Sequence, residues 1–532
     1  MEIYILICCL RQEKIGNCGY LRIYNRIFSR LGQYIFMRHR LSTFWVFASG
    51  LLAAQVIASL QVYLNNLAMH RKLAAIALSG YQHLPNAKLM TMLRTWSSAL
   101  AGGLFFTLSI GVGIALTTLA AVWIWETMSS RNKPVMGVLL LLWLAVLAGV
   151  NTKGFAPIPS AYFLCIPCVV IFAYQWTQRH GPVHRTGLTV GSHLACLVVL
   201  ALIWSTQASN GMFVVIRDNL LLTNPVGMQV NDFYYRYTHF SAEAITSLQQ
   251  KMFKTYRLSV TDGLPDSNGL ERVLSDRGYL LLVNGGREDF RIDRVGEQLV
   301  FLTGNGTTVC ETPARDFWSD PQQTLNTVSK KTDRNIFFRR TIFYALMIAF
   351  PISLYLILHT LCYAVTSFFL SQKKASLLST FICFVVGAAL IIPVQMGRER
   401  DIATERLPAL LTSENWRDQV AALKTITRRK LEIYRVAPCR HLLESPHVPV
   451  QYWLAQALGK SRQAETYQDL LRLLQSSHPN VVCQAVYSIG RRGDARAVKK
   501  LLHMVDTSDH WYVLRYTYNA LRNLGWKHTR ST

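Results

Sequence analysis

Residues 478–502 read HPNVVCQAVYSIGRRGDARAVKKLL. Val481, Ala485 and Ile489 recur at i, i+4 and i+8, which puts them on one face of a helix. Gly490 and Gly493 punctuate its end, and Asp494 is placed to cap a second helix. Ala497, Val498, Leu501 and Leu502 stripe that second helix. The stretch therefore predicts one helical hairpin with an apolar inner face.

The hairpin recurs. Ile426, Leu458–Gly459, Ile489–Gly490 and Leu524–Gly525 mark equivalent helix ends, at spacings of 32, 31 and 35 residues. A near-fixed period with one helical pair per unit is the signature of a stacked solenoid, in which each unit buries its face against the next. Residues 478–502 resemble the short bacterial HEAT-like repeat. The matching positions are Pro479, Val481, Ala485, Gly490, Gly493, Asp494, Arg496, Ala497, Val498, Leu501 and Leu502. The stretch departs from that pattern at His478, where the family prefers Asp, and at Val482, where it prefers Arg. The resemblance spans about residues 404–527. It implies a scaffold that binds proteins on the concave face of the stack and does no chemistry.

The rest of the chain is different in kind. Of 532 residues, 51% are hydrophobic and 16% charged, against roughly 25% charged in ordinary soluble chains. The shortage is local, because long charge-free runs alternate with ordinary segments. Seven runs predict membrane-spanning helices: 41–64, 97–125, 134–150, 157–176, 187–206, 341–370 and 376–396. The opening MEIYILICCL is too short to span and lacks a small-residue cleavage site. Residues 1–40 read as a basic leader, with Met37 as an alternative start ahead of an uncleaved anchor.

Two orientation signals conflict. Arg38 and Arg40 before the first span favour a cytoplasmic N-terminus. The basic residues Lys330, Lys331, Arg334, Arg339 and Arg340 before the sixth span, and Arg398, Arg400 and Arg406 after the seventh, favour soluble parts that are cytoplasmic. The short linker 371–374 makes the last two spans a hairpin, so 207–335 and 398–532 belong on one side.

Chemistry-bearing patterns are few. Within the spans, His193 and His359 are the titratable exceptions, read as neutral rings bonded to neighbouring helices. Gly102, Gly103, Gly111 and Gly113 predict close helix packing. Cys165 and Cys168 form a Cys-x-x-Cys pair, which suits thiol exchange or a soft metal, although no relay pair accompanies it. The eleven cysteines are scattered and form no disulfide framework. No catalytic constellation, nucleotide loop, cofactor motif or metal-ligand set is evident, so a non-enzymatic protein is expected.

Charge is uneven within the overall +26. Residues 398–532 carry 22 Lys and Arg against 12 Asp and Glu, while 207–334 carry 14 against 15. The scattered basic residues come with no base-reading motif, which argues against nucleic acid as a partner. In 207–335, helices are predicted over 210–222, 228–256 and 268–278, with strands at 279–284, 290–296 and 298–309. The aromatics Phe233, Tyr234, Tyr235, Tyr237 and Phe240 suit a lipid–water interface or a partner surface.

The expected fold class is a polytopic α-helical membrane protein with a small α+β soluble insertion and a C-terminal α-solenoid. Its parts are a leader (1–40), a five-helix bundle (41–206), an α+β domain (207–335), a helical hairpin (336–397) and the solenoid (398–532). The expected role is a scaffold in the cell membrane, with the lipid bilayer and a protein as partners. The alternatives are a subunit of a transport or export complex, and a thiol oxidoreductase using Cys165 and Cys168.

Overall fold

The computed structural model describes residues 18–129, 131–178, 187–208, 211–259, 267–283, 285–397 and 402–530. Residues 1–17 of the expected leader lie outside them, as do Arg398 and Arg400. In a charge-free run, the helix is the local structure that pairs every backbone N–H and C=O within the segment. The first half accordingly folds as α1 (Cys18–Leu78), α2 (Trp96–Glu126), α3 (Lys133–Val150), α4 (Pro157–Gln178) and α5 (Gly187–Ser205). Helix α1 does not stop at residue 64 as expected. Thr43–Leu78 is one apolar stretch of 36 residues, about 54 Å long, so it outreaches a ~30 Å hydrocarbon layer.

Residues 207–335 do not share one core. A short helix from Met212 carries a π-turn at Arg217–Leu221 and leads into α6 (Pro225–Ile245). The expected helix 228–256 ends at Ile245. There Ser247 and Gln250 form a capping box around a single 3-10 turn, and the chain then becomes a strand. A five-stranded sheet follows: β1 (Lys254–Leu258), β2 (Tyr279–Leu281), β3 (Phe290–Val295), β4 (Gln298–Leu302) and β5 (Thr308–Pro313). Its order is β2-β1-β3-β4-β5, parallel across β2, β1 and β3 and antiparallel beyond. The expected strand 298–309 is therefore two strands, turned back at Gly306, whose φ of 81° suits glycine. Helices α7 (Ser267–Asp276) and α8 (Pro321–Thr332) cover the sheet around Tyr256, Leu270, Phe290, Phe301, Phe317 and Leu325.

The chain re-enters the bundle through α9 (Ile336–Thr366) and α10 (Gln372–Met396). Among the described residues, six helices are thus long and apolar enough to cross a membrane: α1, α2, α3, α4, α9 and α10. The remaining expected span, 187–206, is shorter. Its described apolar stretch, Val190–Ser205, extends about 24 Å against the ~30 Å needed. The glycines of α2 do set close approaches: a Cβ on Gly111 would lie 2.6 Å from that of Ala54, and one on Gly113 2.8 Å from that of Ala345.

The tail is a two-row stack. One row holds the longer helices α11 (Trp416–Arg429), α12 (Val448–Leu458), α14 (Pro479–Arg492) and α16 (Trp511–Asn523). The other holds α13 (Ala464–Leu473) and α15 (Val498–Thr507). Val481, Ala485, Ile489, Ala497 and Leu501 are fully buried, as the spacing predicts. A Cβ on Gly490 would lie 2.6 Å from the Cα of Ala520, so only glycine lets α14 and α16 approach this closely. Gly493 caps α14 in the left-handed region, and Asp494 accepts the Arg496 N–H as the sequence anticipates.

Candidate interaction surface

The longer-helix row is covered by the chain itself. Near its first end, the Lys424 ammonium donates to the Gly397 carbonyl and sits over the Trp453 ring. The Trp453 indole donates to Asp218 at 2.9 Å. Asp218 is fully buried and paired with Arg217, which lies over the Tyr452 ring. Farther along, Asn231 and Asn480 exchange two amide hydrogen bonds of 2.9 and 3.0 Å. The Tyr512 ring meets Tyr234 and Tyr235, and His239 stacks on Trp511 with rings 3° from parallel. Arg515 closes the series on Glu243 at 2.8 Å. Residues 212–245 thus run along the row.

A second contact ties the tail to the end of α1. Asn86 donates to the carbonyls of Asp506 and Ser508, Tyr518 donates to the His83 carbonyl, and Tyr81 pairs with Arg530 in a single β-bridge. Close by, Asp289 takes hydrogen bonds from Lys72 of α1, from Lys251, and from the backbone and hydroxyl of Thr255. Burial alone would raise the Asp289 carboxyl. The two ammonium groups outweigh it and hold the carboxyl well below the usual carboxylate range. This cluster joins the bundle to the sheet.

The other residues singled out by sequence fall elsewhere. Cys165 and Cys168 are exposed on α4, with Pro167 between them, and neither is in a disulfide. Among the described residues no group of three or more His, Cys, Asp or Glu is arranged to hold a metal. His193 shares a 2.8 Å hydrogen bond with the Tyr355 hydroxyl, and its ring lies 4.4 Å from that of His359. His359 in turn reaches the Ser376 carbonyl. Cys439 and Cys483 are buried, and burial pushes the Cys439 thiol up to about 12 and that of Cys483 higher still, so neither presents a reactive thiolate.

Residues 436–522 match the family model for HEAT repeats. No curated protein and no solved structure matches the chain. The match starts after α11, which nevertheless packs in the same row of the HEAT stack and extends it by one helix. HEAT stacks commonly present a helical surface to other proteins, but here one row is occupied in cis. Exposed basic side chains gather instead where two of the longer helices end: Arg428, Arg429 and Lys430 at the end of α11, Arg435 beyond it, Arg491 in the last turn of α14 and Arg496 just after it. Sequence reasoning missed the covered row. The signal was the run Asn480–Gly490, which lacks any charge and leaves only Tyr487 exposed.

Two predictions concern this interface. Asp289→Ala leaves two buried ammonium groups without their counter-charge. It should cost about 3–5 kcal/mol of local stability, read as faster amide exchange at both the end of α1 and β1, with helix α3 unchanged as control. The second concerns pH. His239, His510 and His528 are buried where the tail meets the rest of the chain, with the ring nitrogens of His239 and His510 lacking a hydrogen-bond partner among the described residues. Burial lowers them to about 3, 4 and 4, helped by Arg515 and His510 at His239, by Arg236 at His510, where Asp509 and Asp232 oppose it, and by Arg522 and His83 at His528. Near pH 7 they are neutral both docked and undocked, so pH has no effect there. Below about 6.5 the undocked rings take protons that the docked ones refuse, at about 1.4 kcal/mol per pH unit for each ring. Protease cleavage between the tail and the bundle should therefore rise steeply from pH 6 to 5, and His239→Gln should flatten that rise.

Proposed function

We propose that this protein is a non-enzymatic scaffold anchored in the cell membrane, whose HEAT stack offers its exposed basic edge to a protein with an acidic surface. The observation that carries the reading is the division of the stack. One row is fixed to the chain's own helices, while the basic helix ends point outward. Cations at helix C-termini also have a local role, since they complement the helix dipole. Their gathering at the ends of both α11 and α14 goes beyond that local need and favours an acidic partner by complementarity.

The membrane anchor rests on six helices of sufficient length and on their uncovered apolar faces. Leu140, Leu141, Leu142 and Leu144 of α3 are all exposed, a surface that water does not tolerate on this scale. The contacts of Tyr81, His83 and Asn86 with the tail put the soluble parts at the end of α1 opposite Thr43. At the far end, the short connections carry Arg131, Lys133, Lys373 and Lys374. At the near end, the short connections carry Lys88, Arg94 and Lys153. Basic residues in short connections set orientation, whereas long segments follow largely regardless of charge. On the short connections alone the far end faces the cytoplasm and the stack faces away from it, against the pull of Lys330, Lys331, Arg334, Arg339 and Arg340 beside α9.

Two measurements test this reading. Reversing Arg428, Arg435 and Arg491 to Glu should strip the proteins that co-purify with the detergent-extracted wild type, without lowering the melting temperature. An unchanged set of retained proteins sinks the docking edge. A reporter fused after Thr532 that fluoresces only in the cytoplasm should stay dark, and one active only outside should work. The reverse pattern overturns the orientation.

A further inference from the structure

Helix α6 has two faces with different company. Asn231, Tyr235 and Thr238, at i, i+4 and i+7, meet the HEAT stack or lie against it. About 140° round the helix runs a second line: Val226, Val230, Phe233, Tyr237 and Phe240. Its C-terminal half is covered by the bundle. A Cβ on Gly102 of α2 would lie 3.3 Å from both Phe240 and the Tyr237 carbonyl, and Ser241 donates to the Gly102 carbonyl at 2.5 Å. Its N-terminal half is not covered: Val226 is 70% exposed, Val230 53% and Phe233 39%.

The level of this uncovered half is set at both ends. Just upstream, Asn219 lies against Gly397, where α10 ends. Downstream, the helix lies on Gly102, near the start of α2. The stripe therefore bridges the ends of two apolar helices, on the face that turns to the bundle and away from the stack. Exposed Trp96 opens α2 with its ring edge-on to Tyr63, and Arg94 and Arg236 are exposed nearby in sequence. Aromatics and basic residues at helix ends, with an apolar stripe between, are the composition of a lipid–water boundary.

We propose that Val226, Val230 and Phe233 insert into the boundary layer of the bilayer, so that α6 lies in the membrane surface and seats the HEAT stack upon it. The inference rests on the membrane reading above and adds to it a lipid-contact surface outside the spanning helices. The medium that covers the exposed faces of the bundle also reaches this stripe. A protein partner would have to enter between the stack and that medium.

The test uses the full chain in vesicles of phosphatidylcholine and phosphatidylglycerol. A genetically encoded, environment-sensitive fluorescent amino acid replaces Val230, or Phe233 in a second protein, with Leu141 and His503 as reference sites. Emission from 230 and 233 should be blue-shifted, strongly quenched by lipids brominated on their acyl chains, and little affected by aqueous iodide. Position 141 should respond to the brominated lipids and 503 to iodide. If 230 and 233 follow 503, the stripe faces water; if they resist both quenchers, protein covers it; either result overturns the proposal while 141 still reports lipid. If 141 also ignores the brominated lipids, the membrane reading itself has failed.

Discussion

The arrangement depends on α6, a helix held between two partners over its C-terminal half. It packs on Gly102 through one face and on the HEAT row through the other. A helix between two partners must satisfy polar groups as well as bury apolar ones. Asn231 does so with Asn480 through a reciprocal amide pair, and Ser241 does so with the Gly102 carbonyl. An unmatched amide there would cost about 1–3 kcal/mol, so these pairs specify the register of stack against bundle as much as they stabilise it. Arg217 and Asp218 act similarly at the other end of the row, where the carboxylate also accepts from Trp453.

The Asp289 cluster supplies the second fixed point. A lone buried carboxylate would be costly, but two ammonium groups and a threonine surround this one. Lys72 comes from the end of the long first helix and Lys251 from the turn just before β1. The extra length of α1 beyond a bilayer's thickness thereby gains a purpose: it carries a charge out of the apolar bundle to the sheet. The cluster also acts on Glu243, the α6 partner of Arg515, so the two grips reinforce one another and hold the soluble assembly in one pose.

What was legible in the sequence was what is local. The hairpin at 478–502 is set by contacts between neighbouring turns, and its stripe, glycines and cap all fall where spacing places them. Apolar runs were legible for the same reason. Strand β1 was not, because KTYRL gains its form from pairing with Tyr279–Leu281 and Phe290–Ile292, which lie well along the chain. The role of α6 was hidden more deeply. Its aromatics read equally as interface or partner surface, and both readings describe part of it. Tyr235 faces the stack, while Phe233 is uncovered. Asn231 and Asn480 are 249 residues apart, and nothing in either neighbourhood names the other.

A free HEAT stack is close to one-dimensional: each unit touches its neighbours, and small rotations accumulate along its length. Fixing such an object at one end leaves the other end mobile. Here the chain grips the row at Trp453, Asn480, Trp511 and Arg515, which belong to three successive longer helices. Gripping it unit by unit removes the accumulated bending. A partner that docks on the basic ends of α11 and α14 then meets groups already in place, and less ordering entropy opposes binding. The same grip makes the surface conditional. Three neutral histidines lie in or beside it, so acid that loosens the grip also releases the curvature of the stack, and with it the spacing of the exposed arginines. The covered row and the open edge are thus two faces of one constraint: the first holds the geometry that the second displays.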